Sequence, residues 1–581
     1  MNTVLLMIGT YLGYIAAYHL YGRFISRKIF GLSDRRTTPA HTHEDGRDYV
    51  PTRKWVIFGH HYTSIAGTGP IVGPAIGVIW GWVPAMLWIF LGSIFMGAVH
   101  DLGALVVSLR NDGKSLAECA GKYVSSRVRY IFFWIVFLEL LIVIAIFGLV
   151  IAVVFSLFPS SVFPVWLQIP IAVGLGYWIY KRKGSVIWGT LLAVVLMYLA
   201  IAAGHYLPFA MPAIGSMPAT GVWTIILLIY AFVASTLPVT TLLQPRDFMN
   251  AWQLILAMGL MVLGVLSSGL TQDLEIVAPA FNPHPAGAPP MWPFLFLTIA
   301  CGAVSGFHSI VSSGTSSKQL NVETDARFVG YGSMLMEAAL ATLVLIAVMA
   351  GIGMAYDAGE LGILHGTDAW QYHYASWDAS KGLGSKIAAV VAGSANMMGS
   401  IGIPVAFGTA IIGVFIASFA GTTLDTAVRL QRYVVSELSQ DMKIKWMQNS
   451  YVATLIAVLS AALLAFAGET GGKGALKLWP MFGGVNQLLA SMALLTLTSY
   501  LKQKGGKKFL ATALPCSFML VMTVWGVICN ELNFIKESSW LLVLINGGIL
   551  LLAIMMIYES VRIIGVFWNG SGIEKRFGEV R

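Results

Sequence analysis

Gly59-His60-His61-Tyr62-Thr63-Ser64-Ile65-Ala66-Gly67-Thr68 and Gly306-Phe307-His308-Ser309-Ile310-Val311-Ser312-Ser313-Gly314-Thr315 share one pattern at a constant offset of 247 (306 − 59, and equally 315 − 68). Gly, His, Gly and Thr coincide. Both copies lie in apolar surroundings, where a helix breaker frees backbone groups and an ionisable ring needs a partner. A weak internal repeat built on interrupted hydrophobic helices marks the substrate site of a secondary transporter. Transport is therefore the first expectation.

Working outward, the 581 residues are 57% hydrophobic and only 11% charged, against about a quarter charged in a soluble domain. Residues 184–245 contain no Asp, Glu, Lys or Arg. The apolar blocks run about 20 residues each, helix length for a bilayer, and lack the short alternating segments of a membrane barrel. The expected class is an all-α polytopic membrane protein. The four cysteines show neither a disulfide framework nor zinc-site spacing. A net charge of +9 fits basic loops on the inner face of a membrane and calls for no nucleic-acid partner. Residues 3–20 are apolar without a basic leader or small-residue cleavage site, and read as a retained span.

Runs bounded by charge, Gly or Pro predict about 15 transmembrane helices by the 20-residue criterion. With the N-terminus outside, 31 of the 36 Lys and Arg fall in inside segments, and only Lys381, Lys386, Lys473, Lys477 and Lys536 remain outside. That asymmetry predicts an outside N-terminus and a cytoplasmic C-terminus. Five regions follow: 1–54, a first helix and basic cytoplasmic loop; 55–270, a first inverted repeat with inserted helices; 271–291, an outer Pro-rich loop; 292–501, a second repeat; and 502–581, two C-terminal helices and a cytoplasmic tail. Residues 386–402 read as a re-entrant or surface helix on the outer side. The span with His61 runs inside to outside and that with His308 the other way, as an inverted repeat requires.

Ser64 to Pro74 holds three glycines and two prolines, too many for a continuous helix. Pro70 suits the first turn of a new half-helix, whose amides would face an anionic group such as a substrate carboxylate; a packing kink is the plainer reading. His60, His61, His100 and His308 all fall within spans, with Asp101 beside His100. They read either as hydrogen-bonded bundle residues or as a proton relay or cation site. Adjacent His60 and His61 face different ways on a helix and cannot readily share a metal; no metal ligand set is assigned. Asp101, Glu139, Glu337 and Asp425 are mid-span carboxylates. Asp425 could pair with Arg429 at i, i+4 or bind a proton, whereas Glu337 has no local partner and is the better proton site. Thr422 and Thr423 offer oxygen ligands for Na⁺, or bond back to their own helix.

Asp45-Gly-Arg-Asp-Tyr-Val-Pro51, Phe58-Gly-His-His-Tyr62, Gly69-Pro-Ile-Val-Gly-Pro74, Leu243-Gln-Pro-Arg-Asp-Phe248, Ser305 to Thr315 and Trp479-Pro-Met-Phe-Gly-Gly-Val-Asn-Gln487 resemble the carbon starvation protein A (CstA) family over nearly the whole chain. The resemblance implies a bacterial inner-membrane importer of peptides or pyruvate, the latter by proton symport. It also implies a LeuT-like inverted repeat with broken helices and extra peripheral helices. The resulting expectation is an ion-coupled, alternating-access symporter for small carboxylates or short peptides. His61, Ser64, Gly67, Thr68, Gly69, His308, Ser312, Ser313 and Thr315 would line the substrate site. Asp101, Glu337, Thr422, Thr423 and Asp425 would couple H⁺ or Na⁺; no cofactor is expected. A cation transporter using the intramembrane histidines and, in another class, an intramembrane metal-dependent enzyme are the competing readings, although no HExxH-like motif is present.

Overall fold

A computed structural model describes residues 2–271 and 274–568. Long apolar runs satisfy their backbone internally as helices, the economical solution in lipid. In chain order the main helices are α1 (Thr3–Phe30), α2 (Lys54–Ile65), α3 (Gly69–Trp80), α4 (Trp82–Leu109), α5 (Ser126–Leu157), α6 (Pro159–Lys181), α7 (Val186–Tyr206), α8 (Ala219–Thr236) and α9 (Leu243–Thr271). They continue as α10 (Met291–Thr298) and α11 (Gly306–Gly314), α12 (Glu323–Met354), α13 (Leu383–Gly399), α14 (Val405–Asp441), α15 (Ser450–Ala465), α16 (Gly474–Gln503), α17 (Leu510–Lys536) and α18 (Trp540–Glu559). A two-stranded hairpin, β1 (Tyr356–Asp357) with β2 (Ile363–Leu364), lies between α12 and α13.

The protein is a multi-pass, mostly helical membrane protein. Among the described residues, 12 helices are long and apolar enough to span a bilayer, or 13 with the bent pair α2/α3 counted as one. The expected count of about 15 exceeds this for a physical reason. The α15 helix has only 16 residues, and the apolar run 292–317 is cut into the two short pieces α10 and α11.

The centre of the bundle lies on α12, 94% of whose apolar window is buried, against 28% for α1 and 22% for α18. Without a hydrophobic drive between helices in lipid, close packing rests on small residues. At Gly351 a Cβ would lie 2.6 Å from the carbonyl oxygen of Gly393, so α12 and α13 touch backbone to backbone. The α13 helix is accordingly part of the bundle and not a surface helix. Lys386 on it is buried, its ammonium 5.2 Å from the Trp479 ring centroid.

Two connections order the ends of the bundle. In the loop before α10, Val277 and Ala278 donate amides to the Met349 oxygen (2.9 and 3.2 Å), and Trp82 donates to Pro279 (3.0 Å). At the other end, the Asp45 carboxylate accepts the amides of Arg47, Asp48 and Tyr49 at 2.8–2.9 Å, folding the Asp-Gly-Arg-Asp segment into a turn. The strap that follows is pinned by Val50 N–H to Lys318 O (3.3 Å) and Thr52 N–H to Gln319 O (3.0 Å). Asp48 pairs with Arg429 (3.1 Å) and Arg432 (3.6 Å) of α14.

Candidate functional site

Two helix interruptions face each other at the centre. The first spans 66–68, where α2 and α3 meet at 44°. Pro70 enters the first turn of α3, where its missing amide is no loss. Gly67 is required sterically, since a Cβ there would meet the Thr423 hydroxyl and sit 2.9 Å from the Phe147 ring. The second interruption is 299–305, between α10 and α11. Gly73 lies against it, with a Cβ position 2.9 Å from Thr298 O, and Gly69 faces the Cys301 side chain. The expected amide cradle at α3 is smaller than the sequence suggests, because Ile71 and Val72 already donate to Thr68 O (3.2 and 2.9 Å).

These breaks correct the opening alignment. Gly67-Thr68 lies in the first break, whereas Gly314-Thr315 closes α11, a full half-helix beyond the second. The 247-residue offset matches residues, but it does not match the interruptions. What holds the second break is a pair on α16. Asn486 Oδ1 accepts Phe307 N–H (2.9 Å) and Ser305 O–H (3.2 Å), while Gln487 Nε2 donates to Phe296 O (3.1 Å). One residue thus caps α11 and the next one secures the end of α10.

Below the breaks, three helices bring together a fully buried titratable chain. Asp101 of α4 receives His100 Nδ1–H (2.7 Å) and His308 Nδ1–H (2.9 Å). A carboxylate only accepts, which fixes the proton of each ring on Nδ1. His308 Nε2 then lies 3.2 Å from Glu337 Oε2 of α12, without hydrogen-bond alignment. His61 turns away to Ser316 Oγ (2.8 Å) and His60 to Asp247 (2.6 Å), so the two adjacent rings do serve different faces.

A second buried network lies on α9 and α14. Asp425 is ion-paired to Arg246 and accepts Tyr230 O–H (3.0 Å). Arg246 also pairs with Asp247 (3.1 Å), which holds His60. This displaces the expected Asp425–Arg429 pair: Arg429 goes to Asp48 and to Leu237 O (2.9 Å). Arg246 is 2% exposed within α9 and is not a loop charge. Thr422 accepts Asn250 Nδ2–H (3.3 Å), Thr423 donates to Ser64 O (3.4 Å), and Ser64 and Thr426 hydroxyls meet at 3.2 Å.

Ser64, Gly67, Thr68, Gly69, Thr422 and Thr423 therefore gather at the first break, with Cys301 opposite. His308, Asp101 and Glu337 form their own cluster. Ser313 caps Leu116 N–H (3.1 Å) and, with Gly314, lines a separate small cavity that Lys318 and Glu437 also reach. Thr315 bonds back to Val311 O (3.1 Å), and Ser312 is buried with no hydrogen-bond partner. Sequence reasoning passed over Arg246, Asp247, Cys301, Asn486 and Gln487. Arg246, Asp247, Asn486 and Gln487 stood inside quoted motifs, and Cys301 had no sequence signal. Glu139 of α5 was noted but given no role; both its carboxylate oxygens are buried and unpartnered.

The family model for carbon starvation protein CstA matches residues 2–526. The chain is 33% identical over 571 residues to the peptide transporter CstA of Campylobacter jejuni, covering 90% of this chain and 80% of that one. It is 33% identical over 582 residues to the pyruvate/proton symporter BtsT of Escherichia coli, covering 88% and 80%. Among solved structures, that of MhsT with L-phenylalanine aligns over 82% of this chain and 98% of its own at 12% identity, with a TM-score of 0.47. A family model spanning nine-tenths of the sequence places this chain in the carbon starvation protein CstA family.

Proposed function

We propose that this chain, a membrane transporter and not an enzyme, is an alternating-access importer that carries a small carboxylate such as pyruvate, or a short peptide, with a proton. The relatives' names support the substrate classes. The observation that carries the mechanism is the pairing of two broken helices, break against break, beside a buried His–carboxylate chain. Interrupted helices offer backbone groups to a substrate at the midplane, and rocking of the elements around them gives alternating access.

In this reading the segments 66–69 and 299–305, which touch in this state, move apart to admit the substrate against Ser64, Thr422 and Thr423, with His61 and His308 below. Ser312, Ser313 and Thr315 line the way out toward the cavity at the basic end. The residues 55–270 and 292–501 act as the two repeats, and the basic loops and C-terminus lie in the cytoplasm of a bacterial inner membrane. Coupling falls to Glu337, His308 and Asp101. Proton coupling is favoured over Na⁺ because Asp425 already holds a built-in cation, Arg246, so Thr422 and Thr423 have no free carboxylate beside them.

Uptake into proteoliposomes tests this. An imposed inward proton gradient is expected to accumulate labelled pyruvate or dipeptide, with Glu337→Gln abolishing accumulation while retaining exchange. No accumulation of either class under a proton or sodium gradient overturns the proposal.

A further inference from the structure

We propose that Cys301, His308 and Glu337 form a binding site for a transition-metal ion of the zinc class, one that competes with the coupling proton for His308 and Glu337 and is distinct from any transported substrate. One sulfur, one imidazole nitrogen and one carboxylate oxygen from these residues lie within 4.8 Å of one another. They come from three elements: the second break, α11 and α12. Zinc bonded at about 2.0–2.3 Å to such ligands has donor–donor edges of about 3.4–3.8 Å in a tetrahedron. His308 Nε2 and Glu337 Oε2, at 3.2 Å, are already that close. The Cys301 sulfur, within 4.8 Å of both, must turn from the Ser305 hydroxyl to complete the set.

The imidazole and carboxylate atoms are aimed and unpaired, whereas the Cys301 thiol donates to Ser305 Oγ at 3.6 Å. With its Nδ1–H committed to Asp101, His308 presents an Nε2 lone pair to a carboxylate, a repulsive contact unless a cation lies between them. His308 Nε2 and both oxygens of Glu337 are buried without a hydrogen-bond partner. Buried charge and lone pairs left unpaired in this way are costly. The Asp101–His308 bond is the carboxylate–histidine arrangement that orients a metal-bound imidazole and raises its basicity. A proton between His308 and Glu337 would also relieve the contact, but it has no use for Cys301. The thiol therefore separates the two occupants.

The purified full chain, stripped with chelator and loaded with Co²⁺, decides the matter in detergent with no gradient, so its outcome is independent of the transport assay. The site predicts about one Co²⁺ per chain and a thiolate-to-cobalt charge-transfer band in the wild-type spectrum. Cys301→Ser and Glu337→Gln, both isosteric, lose the ion and the band. Cys119→Ser, altering a thiol buried elsewhere, keeps both. Asp101→Asn weakens binding about 10–100-fold through the ring it orients. Absence of a retained ion in the wild type, or an ion bound without the thiolate band, overturns the proposal without recourse to any variant.

Discussion

Asn486 Oδ1 accepts the amide of Phe307 at 2.9 Å, reaching across 179 positions of sequence from α16 to the first turn of α11. A helix that starts mid-bundle leaves its first amides without intrahelical acceptors, and in lipid no water replaces them. The Asn486 side chain supplies the acceptor for one of them. Replacing Asn486 with Ala strands the Phe307 amide and the Ser305 hydroxyl. Unmade buried bonds of this kind cost about 1–3 kcal/mol. Thermal unfolding in detergent is expected to shift downward by a corresponding amount and uptake to fall. An unchanged transition would show that Asn486 does not hold the break.

Arg246 pairs with both Asp425 and Asp247 while buried itself. Removing one member of a buried pair costs about 3–5 kcal/mol because the other charge is left behind. Arg246→Ala is therefore expected to be poorly folded. Arg246→Lys should recover little, since a single ammonium cannot reproduce a fork that also reaches the Tyr230 hydroxyl at 2.7 Å. Arg246→Lys unfolding at the wild-type temperature would mean that charge alone suffices.

The two interruptions touch through glycines with different tolerances. Gly73 faces backbone, with a Cβ position 2.9 Å from Thr298 O and 3.3 Å from Ile299 Cα. Overpacking of this kind costs about 1–3 kcal/mol, and no side-chain change should rescue Gly73→Ala. Gly69 faces the Cys301 side chain instead. Gly69→Ala should be partly rescued by Cys301→Gly, and a double-mutant cycle on stability reads the coupling. Additivity in that cycle would contradict the contact.

Asp48 makes the strap sensitive to acid. Burial works against its charge, yet Arg429, Arg432, the Tyr433 hydroxyl and Lys318 outweigh it and hold the carboxyl below the ordinary carboxylate range. A folded value below the unfolded one stabilises fully above about pH 4, and that stability is lost as pH falls through the folded value. Asp48→Asn leaves Arg429 buried without its charge partner. With a fifth of Asp48 exposed, the loss should lie near the lower end of the buried-pair range, about 3 kcal/mol. Melting curves are expected to show this gap at neutral pH and to show it narrowing in acid. A gap independent of pH would place the effect elsewhere.

Much of the architecture was readable because the bilayer constrains it so strongly. Apolar runs must be helices, and the glycines and prolines at 64–74 must interrupt one. The site was less readable. Matching Gly-Thr to Gly-Thr aligns Gly314-Thr315 with the first break, whereas the chain breaks at 299–305, where the sequence carries one glycine and no proline. There the interruption is imposed by Asn486 and Gln487, nearly two hundred residues away. Likewise the i, i+4 spacing of Asp425 and Arg429 was a fair local guess, but Arg246 and Asp48 are nearer in space and better placed. Pairings chosen by tertiary proximity leave no local pattern. The clustering of His308, Asp101 and Glu337 was foreshadowed only by the cost of leaving each alone in a membrane.

Arg246 is a cation that never leaves. Because Arg246 stays paired with Asp425, that carboxylate offers no mobile counter-charge, and under the proposed proton coupling the charge moved per turnover is that of cargo plus proton. A singly charged carboxylate travelling with one proton sums to zero. Such a carrier is electroneutral: its accumulation ratio follows the pH difference across the membrane and ignores the voltage, so a cell with a collapsed potential but an acidic exterior would still fill.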